Sequence, residues 1–477
     1  MIKQLLSKLP LRGRSAREPM DMTSGPMLRN VLRFSWPLML TGILQLLFNA
    51  ADMIVVGQYS GAQAPQALAA VGSTSSLINL LVNVFMGLSV GASVLVAQRW
   101  GARDQAAVSR AVHTAITVAL FSSLLVGAVG VLFAKPLLKL MDSPDDVIDL
   151  AALYMRIYFL GMPANLLYNF GAAVLRAVGD TRRPLYYLTI AGVVNVLLNL
   201  LLVIVFHMSV AGVAIATVVS QTISALLVLL CLRRSHSAIH LDFKRLKVHP
   251  AELKAIIRVG LPAGLQGSLF SISNVLIQTS VNGFGSIAMA GNTAASNLEG
   301  FVYTSMNAVY QADLTFASQN FGANKPDRVR KVMWVCLGTA AAIGLGMGLI
   351  FLLLGRDLLS FYNRDPQVIE FGLMRMTIIL PTYFLCGMMD TMVGQLRGIG
   401  CSIIPMIVSL SGACLLRIVW IYTIFAQPEF HTLTVLYISY PISWGVTFLI
   451  HLLSWYMVSG RILKRLETKK TEVRSEE

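Results

Sequence analysis

Apolar runs of 20 residues or more recur along this chain, and they restrict its fold more than any other feature. A run of that length crosses the hydrocarbon core of a bilayer as a helix. Twelve are predicted, at about 31–56, 67–98, 110–133, 150–175, 184–206, 209–232, 256–280, 287–318, 331–354, 369–394, 403–425 and 432–459. The expectation is an all-α polytopic membrane protein with twelve transmembrane helices. Composition agrees: 56% of the residues are apolar and 13% charged, against roughly 25% charged in soluble domains. The segment before Val31 is basic and polar, and the first apolar run is too long for a cleavable signal peptide.

The net charge of +15 invites a nucleic-acid reading, but the placement of the charges argues otherwise. Of 38 Lys and Arg, 31 lie in the N-terminus, in loops after even-numbered runs, or in the C-terminus. Loops after odd-numbered runs hold only Lys135, Lys139, Arg356 and Arg364, and Arg156, Arg375 and Arg417 lie within or beside helices. This is the positive-inside asymmetry, so both termini and the basic 233–255 stretch are expected in the cytoplasm, facing anionic lipid rather than nucleic acid. The five cysteines sit in or beside apolar runs without metal spacing and read as packing residues.

The chain also repeats itself. Leu175-Arg176-Ala177-Val178-Gly179 returns 221 residues later as Leu396-Arg397-Gly398-Ile399-Gly400, each followed by a proline, Pro184 or Pro405. Ala97-Gln98-Arg99-Trp100-Gly101-Ala102 answers Ser318-Gln319-Asn320-Phe321-Gly322-Ala323, and Pro37 answers Pro262. Six runs per half is an even number, so the halves are parallel repeats, an architecture common among secondary transporters. The expected division is a cytoplasmic segment 1–28, an N-lobe 29–232, a basic linker 233–253, a C-lobe 254–459 and a cytoplasmic tail 460–477. No phosphate loop ending in Gly-Lys-Ser/Thr occurs, so ATP is not expected to drive any cycle. Gly344, Gly346 and Gly348 lie within an apolar run and read as a helix-packing surface.

Pro37-Leu38-Met39-Leu40, then Asp52 and Val55-Val56-Gly57, resembles the first helix of the MATE (multidrug and toxic compound extrusion) transporters. So do Leu175-Arg176-Ala177-Val178-Gly179-Asp180-Thr181 and its echo, within a resemblance spanning about residues 29–459. It implies a V-shaped pair of six-helix lobes and efflux of organic cations, driven by inward sodium ions or protons. No cofactor is implied, and the expected state is a monomer in the inner membrane.

Ionisable groups within spans are costly and therefore candidates for function. Asp52 leads them. Gln45 and Asn49 precede it by seven and three residues, so all three share a helix face expected to look into the N-lobe. Asn195 and Asn199 form a second polar face, and Thr217 reaches a similar depth in the next helix. Four oxygen-bearing side chains at one depth could ligate a small hard cation; the alternative is that they only hydrogen-bond helices together. The resemblance assigns its N-lobe cation site to Asp52, Asn195, Asn199 and Thr217, with Asn199 standing where the family has a second carboxylate. A sodium ion would bind less tightly there, which leans toward protons.

The C-lobe carries Glu299, Asp313, Asp390 and Arg417 within its runs. Arg417 is expected to pair with Asp390 or Glu299, because an unpaired guanidinium there is expensive. Such a pair is either structural or a protonation switch. Asp313, near the end of its run, is expected to snorkel, and Phe270 stands where other family branches place a Glu. Met388, Met389, Met392, Phe301, Tyr303, Tyr383 and Trp420 could line a site for flat cations, or simply pack. Pro37 is the expected bending point of the first helix. The resulting expectation is a secondary antiporter. Its rivals are a lipid-linked oligosaccharide flippase, which would need a large cationic cavity, and a polytopic membrane enzyme, for which no clustered acids or histidines are present.

Overall fold

The computed structural model of the chain describes residues 20–59, 64–141 and 145–476, so residues 1–19 of the expected N-terminal segment fall outside it. Among the described residues there is no strand. The first half comprises α1 (Met27–Tyr59), α2 (Ala64–Gly101), α3 (Gln105–Leu140), α4 (Asp145–Leu160), α5 (Met162–Ala177), α6 (Arg182–Asn199) running on into a π-helical turn Leu200–Val205, and α7 (Ser209–Arg233). The second comprises α8 (Pro250–Asn282), α9 (Ser286–Gly322), α10 (Pro326–Leu353), the short α11 (Gly355–Ser360), α12 (Pro366–Ile379), α13 (Phe384–Gly398), α14 (Ile403–Ser409) with a π-helical turn Leu410–Leu415, α15 (Leu416–Thr423) and α16 (Leu433–Glu476). The last helix therefore continues through the expected tail 460–477 as far as Glu476.

Among the described residues nine helices are long and apolar enough to cross a bilayer, and two bent pairs raise the number to eleven. The pairs fall at matching places in the two halves: α4 with α5, bent by 48°, and α12 with α13, bent by 47°. Each bend lies beside a proline, Pro163 or Pro381, which removes a backbone donor. The twelfth run is α9. It has the length, 37 residues, but Asn292, Asn297, Glu299, Asn307, Gln311 and Asp313 dilute its apolar character.

The duplication is written into the backbone. Arg103 and Asn324 both adopt positive φ, 59° and 54°, as do Gly179 and Gly400 at 94° and 86°. The hydrogen bonds closing these helices match as well: Asp180 N to Leu175 O at 2.9 Å, Cys401 N to Leu396 O at 3.0 Å. Positive φ at a helix C-terminus is the conformation glycine adopts without a Cβ penalty, which explains the Gly in both Leu-Arg-x-x-Gly elements.

The halves lock together at the end carrying the basic loops. Gln98 Nε2 donates to the Gly398 carbonyl (2.8 Å), and its repeat-mate Gln319 Nε2 donates to the Ala177 carbonyl (2.7 Å). The two bonds are images of one another across the pseudo-two-fold. Gly101 lies against the backbone of Gln319, and Gly322 against that of Gln98. A short strap before α1 joins them: Lys325, Arg328 and Asn320 donate to carbonyls of Met22, Thr23, Ser24 and Gly25, while Met20 lies on Gly179 of the first half.

Each half also lends its first helix to the other. The base of α1 packs Val31 and Phe34 on Val309 and Phe316 of α9, with the Phe34 and Phe316 rings edge-on at 5.7 Å. Ile256 of α8 joins the first-half core beside Leu95 and Leu175. Between α2 and α8, Gly87 and Gly91 face Gly260 and Gly264, where any Cβ would collide with the opposing backbone. This is a pair of Gly-x-x-x-Gly faces, the small-residue contact by which helices associate in lipid. Gly344 and Gly348 likewise lie against Phe384 and Leu380, as the packing reading expects, but Gly346 is exposed with open space beside it and is not part of that surface. All five cysteines are free.

Since a Cβ at Gly322 would meet the Gln98 carbonyl, Gly322→Ala should wedge the basic end open. Electron–electron resonance between spin labels at Arg234 and Lys331, both exposed on that face, should show the distance distribution lengthen. An unchanged distribution would remove the interlock from any role in closure.

Candidate functional site

In the first half, the site is a small polar group where α1 meets α6. Asn199 Nδ2 donates to Asp52 Oδ1 and also lies 3.3 Å from Asn195 Oδ1. Asn195 and Asn199 are buried and Asp52 is half-buried. Asn199 Oδ1 is buried without a partner among the described residues. Asn199 is also the last residue of α6 before the π turn, a distortion often found where a helix carries function. Tyr154 of α4 lies within electrostatic reach of Asp52.

Thr217 donates its hydroxyl proton to the Val213 carbonyl of its own helix at 2.9 Å, which leaves the lone pairs of its oxygen free. Gln45 and Asn49 are exposed rather than turned into the first half. Between Pro37 and Asp52, α1 is exposed or half-buried, with Phe48 on Gly192 and with Gly42 and Leu46 on Thr304 and Gly300 of α9, while Val55 and Val56 near its end are buried in the first-half core. A shared helix face is visible in a sequence; what that face looks at is not. The helix itself continues unbroken through Pro37.

The second half encloses a cavity of about 600 Å³ between α8, α9, α12, α13, α15 and α16. Its wall carries Glu299, Asp390, Arg375, Arg397 and Arg417 among aromatic rings. The expected pairing of Arg417 is wrong. Arg375 of α12 takes Glu299 in a bidentate pair, Nε to Oε1 at 2.8 Å and Nη2 to Oε2 at 2.7 Å, and its Nη1 donates to Asn292 Oδ1 at 2.9 Å. Its guanidinium also lies over the Tyr437 ring at 5.3 Å. With both partners buried, this is the geometry in which the fork of an arginine satisfies a carboxylate fully. Breaking one side of such a pair costs about 3–5 kcal/mol.

Asp390 faces the Tyr303 hydroxyl and lies near Arg397. Arg397 donates in turn to Tyr310 and Gln266, each at 2.8 Å. Arg417 has neither carboxylate. Its Nε donates to Ser443 at 2.7 Å, and its plane lies over Tyr440 at 4.2 Å and near Trp444 at 5.4 Å. Cation–π contact is worth about 2 kcal/mol or more when desolvated and offsets part of the cost of burial. Arg375 is the residue that sequence reasoning passed over: it counts among the intramembrane charges but receives no partner there.

Asp313 does not snorkel. It is fully buried beside the Cys336 thiol, since a carboxyl on one methylene cannot reach past its neighbours to water. Of the residues weighed for a flat-ligand site, Tyr303, Tyr383 and Met389 line the cavity, together with Phe270. His451 is buried with Nε2 at 3.0 Å from Ser409 Oγ, a packing role. At the basic end, Asp180 caps Arg183 N at 3.1 Å and pairs with its side chain at 3.2 Å.

Comparison with known proteins agrees with this architecture. The MatE family model matches twice, over residues 37–201 and 262–423. A probable multidrug resistance protein of Bacillus subtilis, YoeA, is 28% identical over 80% of this chain and 83% of its own. A solved structure of MATE in the bent conformation superimposes with TM-score 0.85 at 20% identity, covering 94% of this chain and 98% of that one. A MOP superfamily transporter from Pyrococcus furiosus, for which reversed polarity of the binding pocket is described, also gives 0.85, at 21% identity over 94% and 99%. With its fold, its two matched halves and its transporter relatives, the chain belongs to the MatE family of multidrug efflux transporters, which are membrane proteins and not enzymes.

Proposed function

We propose that this protein is a secondary active antiporter of the inner membrane that exports small organic molecules in exchange for inward protons or sodium ions. It works as a monomer without a cofactor, through alternating access of lobes 29–232 and 254–459 joined by the linker 233–253. The basic end, with both termini, faces the cytoplasm. The observation that carries this reading is Asp52, a half-buried carboxylate on α1, tied to α6 through Asn199.

In the state described, the Asn199 amide donates to the Asp52 carboxylate while Asn199 Oδ1 has no partner. A proton on Asp52 would give that orphan oxygen a donor; a sodium ion would give it, Asn195 Oδ1 and the carboxylate a common centre. Either occupant changes what holds α1 to α6, and only such differential affinity lets an ion drive a conformational change. One monovalent cation moving down 100 mV supplies about 2.3 kcal/mol. Organic cations are the substrates the family resemblance implies, and the aromatic rings of the second-half cavity suit them. Both carboxylates of that cavity, however, are already faced by arginines.

The flippase reading gains one observation, since Arg375, Arg397 and Arg417 line a single cavity. A cavity of about 600 Å³ nonetheless matches a drug-sized molecule rather than a lipid-linked oligosaccharide, and efflux remains the better reading.

Efflux of a fluorescent substrate from inverted vesicles, under proton and sodium gradients imposed separately, should fall at least about tenfold in Asp52→Asn. An undiminished rate would move coupling out of the first half. Asn199→Asp should restore a second carboxylate and lower the sodium concentration needed for half-maximal efflux. If sodium dependence is unaltered, Asn199 is no ion ligand.

A further inference from the structure

Five charged side chains line the second-half cavity, and among the described residues Arg375 and Glu299 form the one ion pair between them. Glu299 is satisfied by both prongs of Arg375. Asp390 faces the Tyr303 hydroxyl and lies near Arg397, whose two terminal nitrogens are held by Tyr310 and Gln266. Arg417 remains. It is 3% exposed, lines the cavity, forms no ion pair among the described residues, and its Nη2 has no hydrogen-bond partner there.

We propose that Arg417 anchors the anionic group, carboxylate or phosphate, of an aromatic substrate whose flat body lies among the rings of this cavity. The inference rests on the transporter reading and gives it a substrate class opposite in charge to the one the family resemblance implies. Three features support it. The guanidinium is held in place before any ligand arrives: Ser443 fixes Nε, and Tyr440 and Trp444 fix the plane. A pre-set arginine fork with terminal N–H groups to spare matches the two oxygens of a carboxylate or phosphate. Burying a lone guanidinium within a membrane is otherwise expensive, and an anionic ligand removes that expense where a cation would add to it. Finally, Phe270, Tyr303, Tyr383 and Trp444 line the same space, so an aromatic ring carried by the anion has faces to stack on. A cationic ligand would have to compete with Arg375 for Glu299, and at Asp390 it would meet the charge of Arg397 nearby.

The test is calorimetric titration of the full-length protein in lipid nanodiscs with four ligands sharing one ring system: 2-naphthoate, 2-naphthyl phosphate, 2-naphthyltrimethylammonium and 2-naphthylmethanol. At least one anion should bind ten-fold or more tightly than the cation and the alcohol, and the stronger of the two identifies carboxylate or phosphate as the preferred group. Arg417→Gln should erase that preference while leaving the alcohol's affinity within about two-fold; Arg417→Lys should retain part of it. The proposal is overturned if the cation binds as tightly as either anion, or if Arg417→Gln leaves anion affinity intact. Should Arg417→Gln not fold, the order of the four ligands on the unaltered protein decides by itself. Gradient-driven uptake of the same four into inverted vesicles separates the two claims. Transport of the cation alone keeps the antiporter and rejects the anion site; anion binding with no transport under either gradient keeps the site and rejects the antiporter.

Discussion

The fold depends on the crossing of α2 and α8. Lipid tails are as apolar as leucine, so no hydrophobic force draws one helix to another inside a bilayer; close packing must do it. Gly87 and Gly91 against Gly260 and Gly264 bring two backbones into direct contact, and that contact joins the halves along much of their length. Around it the other inter-half contacts are smaller and reversible in kind: two side-chain hydrogen bonds from Gln98 and Gln319, a few carbonyls of the strap, and the base of α1 on α9. A strong seam with weaker fastenings at one end is the arrangement that lets two bodies rock without parting.

The halves share a backbone but divide their chemistry. The first has a single carboxylate held by amides, a donor set suited to a hard cation or a proton. The second has three arginines and two carboxylates in one cavity, with Arg375 taking both oxygens of Glu299 and Arg397 near Asp390. Each half carries a π turn in the corresponding helix, Leu200–Val205 after Asn199 and Leu410–Leu415 before Arg417. The same local loosening thus borders two sites of opposite character. In the proposed cycle the ion acts on one lobe and the substrate is held in the other, so any coupling between them has to pass through the seam.

Much of this was legible in the chain. The helices follow from apolar runs because a bilayer admits few alternatives, and the repeat follows from Leu-Arg-x-x-Gly, whose closing glycine is dictated by a positive φ in both copies. The partnership of Asp52 with Asn199 was also readable, since both are costly in a span and lie at similar depth. What escaped was orientation. Arg375 lies 76 residues from Glu299, and nothing in the order of residues says which of two arginines reaches it first. Gln45, Asn49 and Asp52 do lie close on one helix face, but only Asp52 meets α6, and Gln45 and Asn49 are exposed. The α9 helix evaded the apolarity rule because of its polar residues, of which Asn292, Glu299 and Asn307 line the cavity.

The strap from Met20 to Gly25 belongs to no helix, yet its carbonyls are gripped by Asn320, Lys325 and Arg328 of one half while Met20 rests on Gly179 of the other. A stretch of chain seated across both sides of a closing joint must slide or peel away whenever the joint opens. The amino end is therefore a working part of the machine, and a fusion or affinity label placed there loads it directly.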